Sequence, residues 1–294
     1  MDLLQPAILL QLAIGGLLAG ALYALLASGL NLVFGVMRVI NLAHGELMIA
    51  GAFLAWLLYS LLGLHPLLAL PVATVVLFIL GFYLQRLLIE RIVGRDELTS
   101  LLVTYGLSII LMNAGLLVFS ADFRAVPALQ GAVYLEDLDL VLSKPRAVAG
   151  VVSIVLTAGV YWFLKHSRTG KAIRAVSEHA EVAMICGIDV TRIRMVTFGL
   201  AAAMAGAAGV MLTTIYSFSP ETGADFVLKC FAIIVIGGMG NFVGALFGGL
   251  LLGLAEAFVS GFLSTQWAEA VAYLLLVLVL ILRPAGLLGK ADAP

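Results

Sequence analysis

Long uninterrupted runs of apolar residues constrain this chain more than any other feature. A helix needs about 20 consecutive apolar residues to cross the hydrocarbon core of a bilayer. Eight stretches have this character, the fifth and the last only once their flanks are counted: 9–34, 40–62, 67–86, 100–119, 147–164, 192–214, 243–263 and 268–282. The sequence therefore predicts an all-α fold, a polytopic transmembrane helical bundle of eight or nine membrane segments.

A ninth apolar stretch, 225–236, is shorter and runs into a glycine-rich segment, 237–241. It is interpreted as a short span, a broken helix or a re-entrant segment. Backbone outside a helix is tolerated at membrane depth only where protein or a water-filled cavity covers it. The candidate broken-helix residues are Gly237, Gly238, Gly240 and Asn241. The segment loosely resembles Gly35–Asn41, which favours two related halves with interruptions at matching places.

The low charge of the chain excludes several classes of protein. Only 11% of its 294 residues are charged, against about 25% in soluble domains. The net charge of −1 gives no basic character for binding nucleic acid. Cys186 and Cys230 lie far apart, so neither a disulfide framework nor a metal site is expected. The N-terminus lacks the positive region of a cleavable signal peptide, and the first apolar stretch is expected to be a retained span.

The positions of the basic residues predict the orientation. If 165–191 is cytoplasmic and all nine stretches cross, twelve of the 16 Lys and Arg residues lie inside. Cytoplasmic loops carry such an excess, so we expect the N-terminus outside and the C-terminus in the cytoplasm. Eight crossings, with 225–236 re-entrant, would place the C-terminus outside and fit less well. Residues 1–294 are expected to form one transmembrane domain, with a periplasmic loop at 120–146.

Polar side chains within the spans are functional candidates, because their burial in lipid is costly. On a continuous helix Asn41 and His44 would share a face and Glu46 would point away, so these residues serve different partners or the helix unwinds near Gly45. Glu46 has a structural alternative, pairing with Arg38 or a neighbouring helix, and a metal role with His44 lacks further ligands. The candidate pathway residues are Asn31, Asn41, His44, Glu46, Asn113 and Glu256.

The basic segment 165–191 contains a second candidate surface. Ser177 is predicted to N-cap a short helix that stops at Gly187, with acidic residues in its first turn. A stripe of small residues follows helical spacing and could be held by a cytosolic partner or lie at the membrane interface. The residues concerned are Ser177, Glu178, Ala180, Glu181, Ala183, Met184 and Gly187.

Three segments together resemble the branched-chain amino acid ABC permease family. They are Gly29–Phe53 with Asn-Leu-Ala-His-Gly-Glu at 41–46, the basic run at 168–175 leading to Ala183 and Gly187, and Ile-Gly-Gly-Met-Gly at 236–240. The similarity extends over nearly the whole chain. Its length resembles the smaller of the two inner-membrane permeases in such systems.

The resemblance implies a set of partners and a division of labour. Members of the family work with a second, homologous permease, two cytosolic ATPases and a periplasmic binding protein, in the bacterial inner membrane. Residues 176–187 would then be the coupling helix that seats in an ATPase, and 120–146 a docking surface for the binding protein. Relatives that carry urea, short amides or other amino acids leave the substrate open.

The chain lacks the motifs of an enzyme that would drive transport. Gly170-Lys171 is followed by Ala172, and Lys165 stands where a phosphate-binding loop needs its first glycine. We therefore expect no cofactor here, with ATP and Mg²⁺ bound by the partners. Two other hypotheses are an ATP-independent secondary transporter with Glu46 or Glu256 as its ion site, and an intramembrane enzyme using His44 and Glu46.

Overall fold

The protein is almost entirely helical. The structure, a computed structural model, describes residues 6–135, 140–283 and 285–289. Its α-helices are α1 (Pro6–Met37), α2 (His44–Leu62), α3 (Pro66–Leu87), α4 (Glu97–Phe119), α5 (Lys144–His166), α6 (Arg168–Glu178), α7 (Ala180–Ile185), α8 (Val190–Ile215), α9 (Thr222–Gly237), α10 (Phe242–Phe262) and α11 (Thr265–Leu282).

Eight of these helices, α1–α5, α8, α10 and α11, are long and apolar enough to cross a membrane. Each coincides with one of the eight predicted stretches, so the prediction of a polytopic helical bundle is confirmed. The ninth stretch lies in α9, whose 16 residues span about 24 Å at about 1.5 Å per residue. This is less than the roughly 30 Å of the hydrocarbon core.

Local sequence signals explain where several helices begin and end. Gly63 adopts a left-handed conformation (φ 63°) and ends α2, and Pro66 then opens α3. The side chains of Asp189 and Ser167 accept hydrogen bonds from the first turns of α8 and α6. At the start of α4, hydrogen bonds from the Thr99 side chain and backbone lower the pKa of the Asp96 carboxyl.

Helix α8 forms the centre of the bundle. It packs against α1, α2, α3 and α5, and its buried residues run almost without interruption from Thr197 to Thr213. Small residues allow this close approach. Gly206 lies against Gly51 of α2, Gly209 lies against the backbone of Met48, and Ala202 meets Gly81 of α3.

Small residues four apart in the sequence, Gly16 and Gly20 of α1 and Gly249 and Gly253 of α10, face each other. A β-carbon added to Gly16 would stand 2.7 Å from Ala257, and one added to Gly20 would stand 2.7 Å from the carbonyl oxygen of Gly249. The two helices run antiparallel, since residues early in α1 meet residues late in α10. Backbones without side chains between them therefore approach each other closely along this helix pair.

The 120–146 loop contains a small element that the sequence analysis did not predict. Strands β1 (Ala132–Leu135) and β2 (Leu140–Ser143) pair antiparallel, with Ala132 opposite Ser143. Tyr and Val in these strands favour extended backbone. The loop 120–146 as a whole was predicted to dock a binding protein. Of its acidic residues, Asp122 is exposed and accepts a hydrogen bond from Ser120, whereas Glu136, Asp137 and Asp139 lie outside the described residues.

The C-terminal segment packs at the same end of the bundle as the end of α1. The backbone N–H groups of Leu287 and Leu288 donate to the carbonyl oxygens of Ile236 and Gly237, at the end of α9. Gly240, just beyond α9, in turn lies against Gly35 of α1. The ends of α1 and α9 and the segment 287–288 therefore lie together at one end of the bundle.

Candidate functional site

The chain leaves helical conformation between α1 and α2. Arg38 has a φ of 54°, uncommon for a residue with a side chain, and α2 begins only at His44. His44 lies beside Leu26 of α1, about 16 Å before the end of that helix at about 1.5 Å per residue. Residues 38–43 therefore run back along α1 into the bundle.

The His44 side chain marks the middle of the bundle. Its Nε2 donates to the carbonyl oxygen of Leu26 at 3.0 Å, whereas its buried Nδ1 has no partner. The ring lies at Gly29, which also contacts Ala201 near the midpoint of α8. An unmet ring nitrogen at mid-depth is unusual, because buried polar atoms are normally hydrogen-bonded.

Glu46 is a buried carboxylate at almost the same depth. Only 4% of the residue is exposed, and its Oε1 accepts a hydrogen bond from the Ser108 hydroxyl of α4 at 3.3 Å. Its carboxylate lies flat against Gly223, at the start of α9, where an added β-carbon would stand 2.9 Å away. Among the side chains that the structure describes it forms no ion pair, so the predicted pairing with Arg38 is not observed. The other form of that structural alternative, a contact with a neighbouring helix, is observed in the hydrogen bond from Ser108.

Two of the asparagine candidates, Asn41 and Asn113, lie in different surroundings. Asn41 precedes α2, accepts a hydrogen bond from Ala43 N–H at 3.1 Å, and has a buried Nδ2 without a partner. Asn113 is exposed on α4 and donates to the carbonyl oxygen of Ile109 in its own helix. Asn41 therefore lies next to His44 and Glu46 in the chain, whereas Asn113 makes no contact with them.

The segment between α9 and α10 is a second break in the helices. Gly238 and Gly240 have φ values of 103° and 80°, which residues with a side chain rarely adopt. Asn241 then caps α10 by accepting from Gly244 N–H, and its Nδ2 donates to Leu288 O. Asn31 of α1 binds this turn from the other side, so the break is held by side-chain and C-terminal contacts.

Glu256 belongs to a separate charged cluster. Its Oε1 lies 3.0 Å from Nζ of Lys229 in α9, and its Oε2 accepts a hydrogen bond from the Tyr23 hydroxyl at 2.9 Å. The cluster lies within about one helical turn of the His44–Glu46 region, since Tyr23 and Leu26 are neighbours on α1. Lys229, Tyr23, Ser108 and Gly223 were not predicted. A lone lysine in an apolar stretch, with a lone glutamate in another span, is the sequence signal that could have indicated the ion pair.

The predicted helix boundary at Ser177 is wrong. Ser177 lies inside α6, one residue before its end, and its hydroxyl donates to Arg174 O. His179 is extended and separates α6 from α7, because Ser167 already caps a longer basic helix. Of the acidic pair, Glu178 ends α6 and only Glu181 lies in the first turn of α7. Gly187 does follow the end of α7, with a φ of 82°.

The exposed side of α7 differs from the predicted stripe. Ala183 is 4% exposed and packs against the protein's own core, with Ala180 partly buried beside it. Val182, Met184 and Ile185 point outward, Ile185 being 85% exposed. The surface available to a partner is therefore one of larger apolar side chains.

These clusters do not form a metal site. In residues 6–135, 140–283 and 285–289, no three His, Cys, Asp or Glu side chains lie close enough to hold a metal ion. A multi-pass bundle with interrupted helices and buried charged groups at mid-depth is instead typical of membrane transport proteins.

Comparisons with known proteins define the family. The profile of the family described as "Branched-chain amino acid transport system / permease component" matches residues 12–280. The chain therefore belongs to this family of membrane permeases, as the sequence motifs predicted. No solved structure matches it.

Individual relatives match over nearly their full length. The branched-chain amino acid transport system permease protein BraD of Pseudomonas aeruginosa is 33% identical, over 96% of both chains. The corresponding protein LivH of Salmonella typhimurium is 32% identical over the same shares. The permease protein LivM of the same organism is 27% identical, over 91% of this chain and 68% of its own length.

Proposed function

We propose that this protein is the membrane-spanning permease subunit of an ABC importer for branched-chain amino acids. The full-length similarity to permeases of high-affinity branched-chain amino acid systems carries this proposal. The protein's location follows from its spans, and we place it in the cell membrane with the end bearing α6 and α7 in the cytoplasm. In this orientation most Lys and Arg residues lie inside.

Partner ATPases supply the energy in this proposal. The sequence contains no phosphate-binding loop of the form Gly-x-x-x-x-Gly-Lys-Ser/Thr. ATP is therefore bound and hydrolysed by other subunits, and this chain is not itself an enzyme. A second permease is also expected, because one relative's organism contains both LivH and LivM, which both match this chain.

Helix α7 is the proposed contact with an ATPase. It is six residues long and presents Val182, Met184 and Ile185 at the cytoplasmic end. Apolar side chains there would otherwise face water, and a rigid partner groove would bury them. Because Ala183 fixes α7 against the bundle, movement of the partner would be passed on to α6 and α8.

The His44–Glu46 region is the proposed part of the pathway. It lies at mid-depth, where the break after α1 lets the chain turn, and it holds a carboxylate without a cation. The α-ammonium group of an amino acid is the charge that such a carboxylate would stabilise during passage. The ion-paired Glu256 and the turn-binding Asn31 instead have structural partners.

Co-purification tests the assignment most directly. Tagged protein would be isolated from its native membrane and the accompanying chains identified by mass spectrometry, with uptake of labelled leucine measured in liposomes. We expect two ATPases, a second permease and uptake that needs ATP. Uptake by this chain alone, without ATP, would establish the secondary-transporter hypothesis instead.

A further inference from the structure

A cavity of about 410 Å³ opens at the end of the bundle where α1 ends and α6 meets α7. Its walls come from the end of α1, the loop 93–95 before α4, and residues 176–180. Pockets that hold small molecules measure about 300–1,000 Å³. The cavity is separate from the His44–Glu46 region, which lies deeper in the bundle.

Three arginines dominate the charge of this cavity. Arg38, Arg95 and Arg194 line it, and Glu178 is the only acidic residue among its lining residues. Because Glu90 pairs with Arg194, an excess of one positive charge remains. Arg38 and Arg95 are exposed and form no ion pair with any side chain that the structure describes, although Asp96 lies beside Arg95 in the chain. Two of the three guanidinium groups are therefore available to a bound anion.

The Arg194 side chain is held in place by an ion pair, but one of its hydrogen-bond donors has no partner. Its Nη1 lies 3.2 Å from Oε1 of Glu90, whereas its Nε is buried without a hydrogen-bond partner. The backbone of Arg38 is also fixed, because its left-handed conformation stands at the point where α1 ends, whereas its side chain is exposed. Such backbone persists only where the surroundings determine it. The cavity thus combines one positioned guanidinium group with an unmet donor, that of Arg194, and two exposed arginine side chains.

The arginines lie at the depth of lipid headgroups. Arg38 follows α1, Arg95 stands just before α4, and Arg194 lies in the early turns of α8. In the orientation proposed above this is the cytoplasmic face, whose leaflet carries anionic lipids. Guanidinium groups bind phosphate oxygens through two parallel hydrogen bonds. Basic pockets between spans on that face suit phospholipid headgroups.

We propose that this cavity binds the phosphate group of an anionic phospholipid from the inner leaflet. The headgroup would touch the end of α1, the approach to α4 and the α6–α7 junction together. Its binding would therefore stabilise the arrangement of these three segments. The proposal does not depend on which substrate the protein carries.

A titration with phosphatidylglycerol tests the site. The delipidated full-length protein in detergent would be titrated with this lipid and bound molecules counted by native mass spectrometry. Replacing both Arg38 and Arg95 by Gln should weaken binding at least about tenfold, because the charge-assisted bonds are lost. The matched control replaces Arg168 and Arg174 by Gln. It removes the same charge from the same end but leaves the cavity intact, so binding should change less than about twofold.

Equal losses in both double variants would mean that general attraction to basic residues explains the binding, and the site would be rejected. Unchanged binding in the cavity variant would reject it as well. The single variant Arg95→Lys keeps the charge but not the planar fork, so an intermediate affinity is expected. Melting temperatures of all variants show that each is folded.

Inorganic phosphate distinguishes the two sources of the same chemical group. It should compete poorly with the lipid, because acyl chains add to the lipid's affinity. If inorganic phosphate at millimolar concentration binds at the cavity arginines and the lipid does not bind, a free phosphate is the ligand and the lipid proposal is wrong. The lipid titration does not measure uptake. Its result therefore stands even if the co-purification experiment finds no uptake.

Discussion

Asn31 of α1 accepts a hydrogen bond from the backbone N–H of Gly240 at 2.6 Å, across 209 positions of the chain. Its Nδ2 donates to the carbonyl oxygens of Asn241 and Gly238, at 2.7 and 3.4 Å. One side chain thus binds three backbone groups of the turn between α9 and α10, of which that of Gly238 is buried while Gly240 is exposed. The buried Asn31 therefore holds this turn against α1, which gives it a structural role.

The substitution Asn31→Ala should destabilise the protein by about 1–3 kcal/mol, because three hydrogen bonds are lost and the buried carbonyl of Gly238 is left without this partner. Asn113→Ala is the matched control, since the exposed Asn113 bonds only to its own helix. Thermal unfolding of both purified variants in detergent checks this. Equal stability of the two variants would show that the turn does not need Asn31.

The Lys229–Glu256 pair predicts a different pattern for single and double changes. Replacing either residue alone, by Lys229→Met or Glu256→Leu, leaves a largely buried charge unpaired and should cost about 3–5 kcal/mol. Replacing both together should restore most of this loss. A double-mutant cycle on unfolding free energies gives the coupling. Additive losses would mean that the two side chains do not interact.

Two adjacent glycines in α1 should respond oppositely to alanine. Gly16→Ala places a methyl group against Ala257 and Gly253 O, and such overpacking should cost about 1–3 kcal/mol. Gly15→Ala meets nothing within 4 Å and should be neutral or stabilising by up to about 1 kcal/mol, from helix propensity. Thermal unfolding of the two variants decides whether α1 and α10 pack as described.

The proposed ATPase contact predicts a loss of coupling when α7 is made charged. Ile185→Asp changes an exposed apolar side chain, so insertion and folding should be normal while transport-stimulated ATPase activity of the complex falls at least about tenfold. Thr169→Asp adds the same charge on α6 as a control. Full activity of the Ile185 variant would place the ATPase contact elsewhere. Ala183→Asp is less informative, because Ala183 is buried in the protein itself.

Glu46→Gln should reduce substrate uptake while the complex still assembles. The amide can keep the hydrogen bond with Ser108 but lacks the charge proposed to stabilise a passing ammonium group. We expect uptake to fall by about tenfold or more, equivalent to about 1.4 kcal/mol. Glu269→Gln, on the exposed surface of α11, is the control. Equal uptake in both variants would remove Glu46 from the pathway.

The spans were predictable because their signal is local and strong. Each needs only about 20 apolar residues in a row. Small residues four apart indicate close helix packing, but only the structure shows that α1 packs on α10. Lys229 shows what the sequence alone could not predict. Its sequence position indicated a residue on the outer side, and only the packing of α9 on α10 reveals its carboxylate partner.

The error at Ser177 has a related cause. Ser177 and Ser167 are both acceptable caps in sequence, and the choice between them depends on how the basic helix α6 packs on α5 and α8. The outward side of α7 could not be read from periodicity either, because a six-residue helix is too short to define a face.

The central position of α8 has a consequence for how the protein is made. Helix α8 is synthesised after α1, α2, α3 and α5, which all pack against it. At roughly 5–20 residues per second, α1 leaves the ribosome on the order of ten seconds before α8 does. The surfaces of the early helices that α8 covers therefore face lipid or one another until it arrives. Complete assembly also needs α10, which packs along α1 and is made later still, and a nascent chain stopped before residue 190 lacks the element around which α1, α2, α3 and α5 pack.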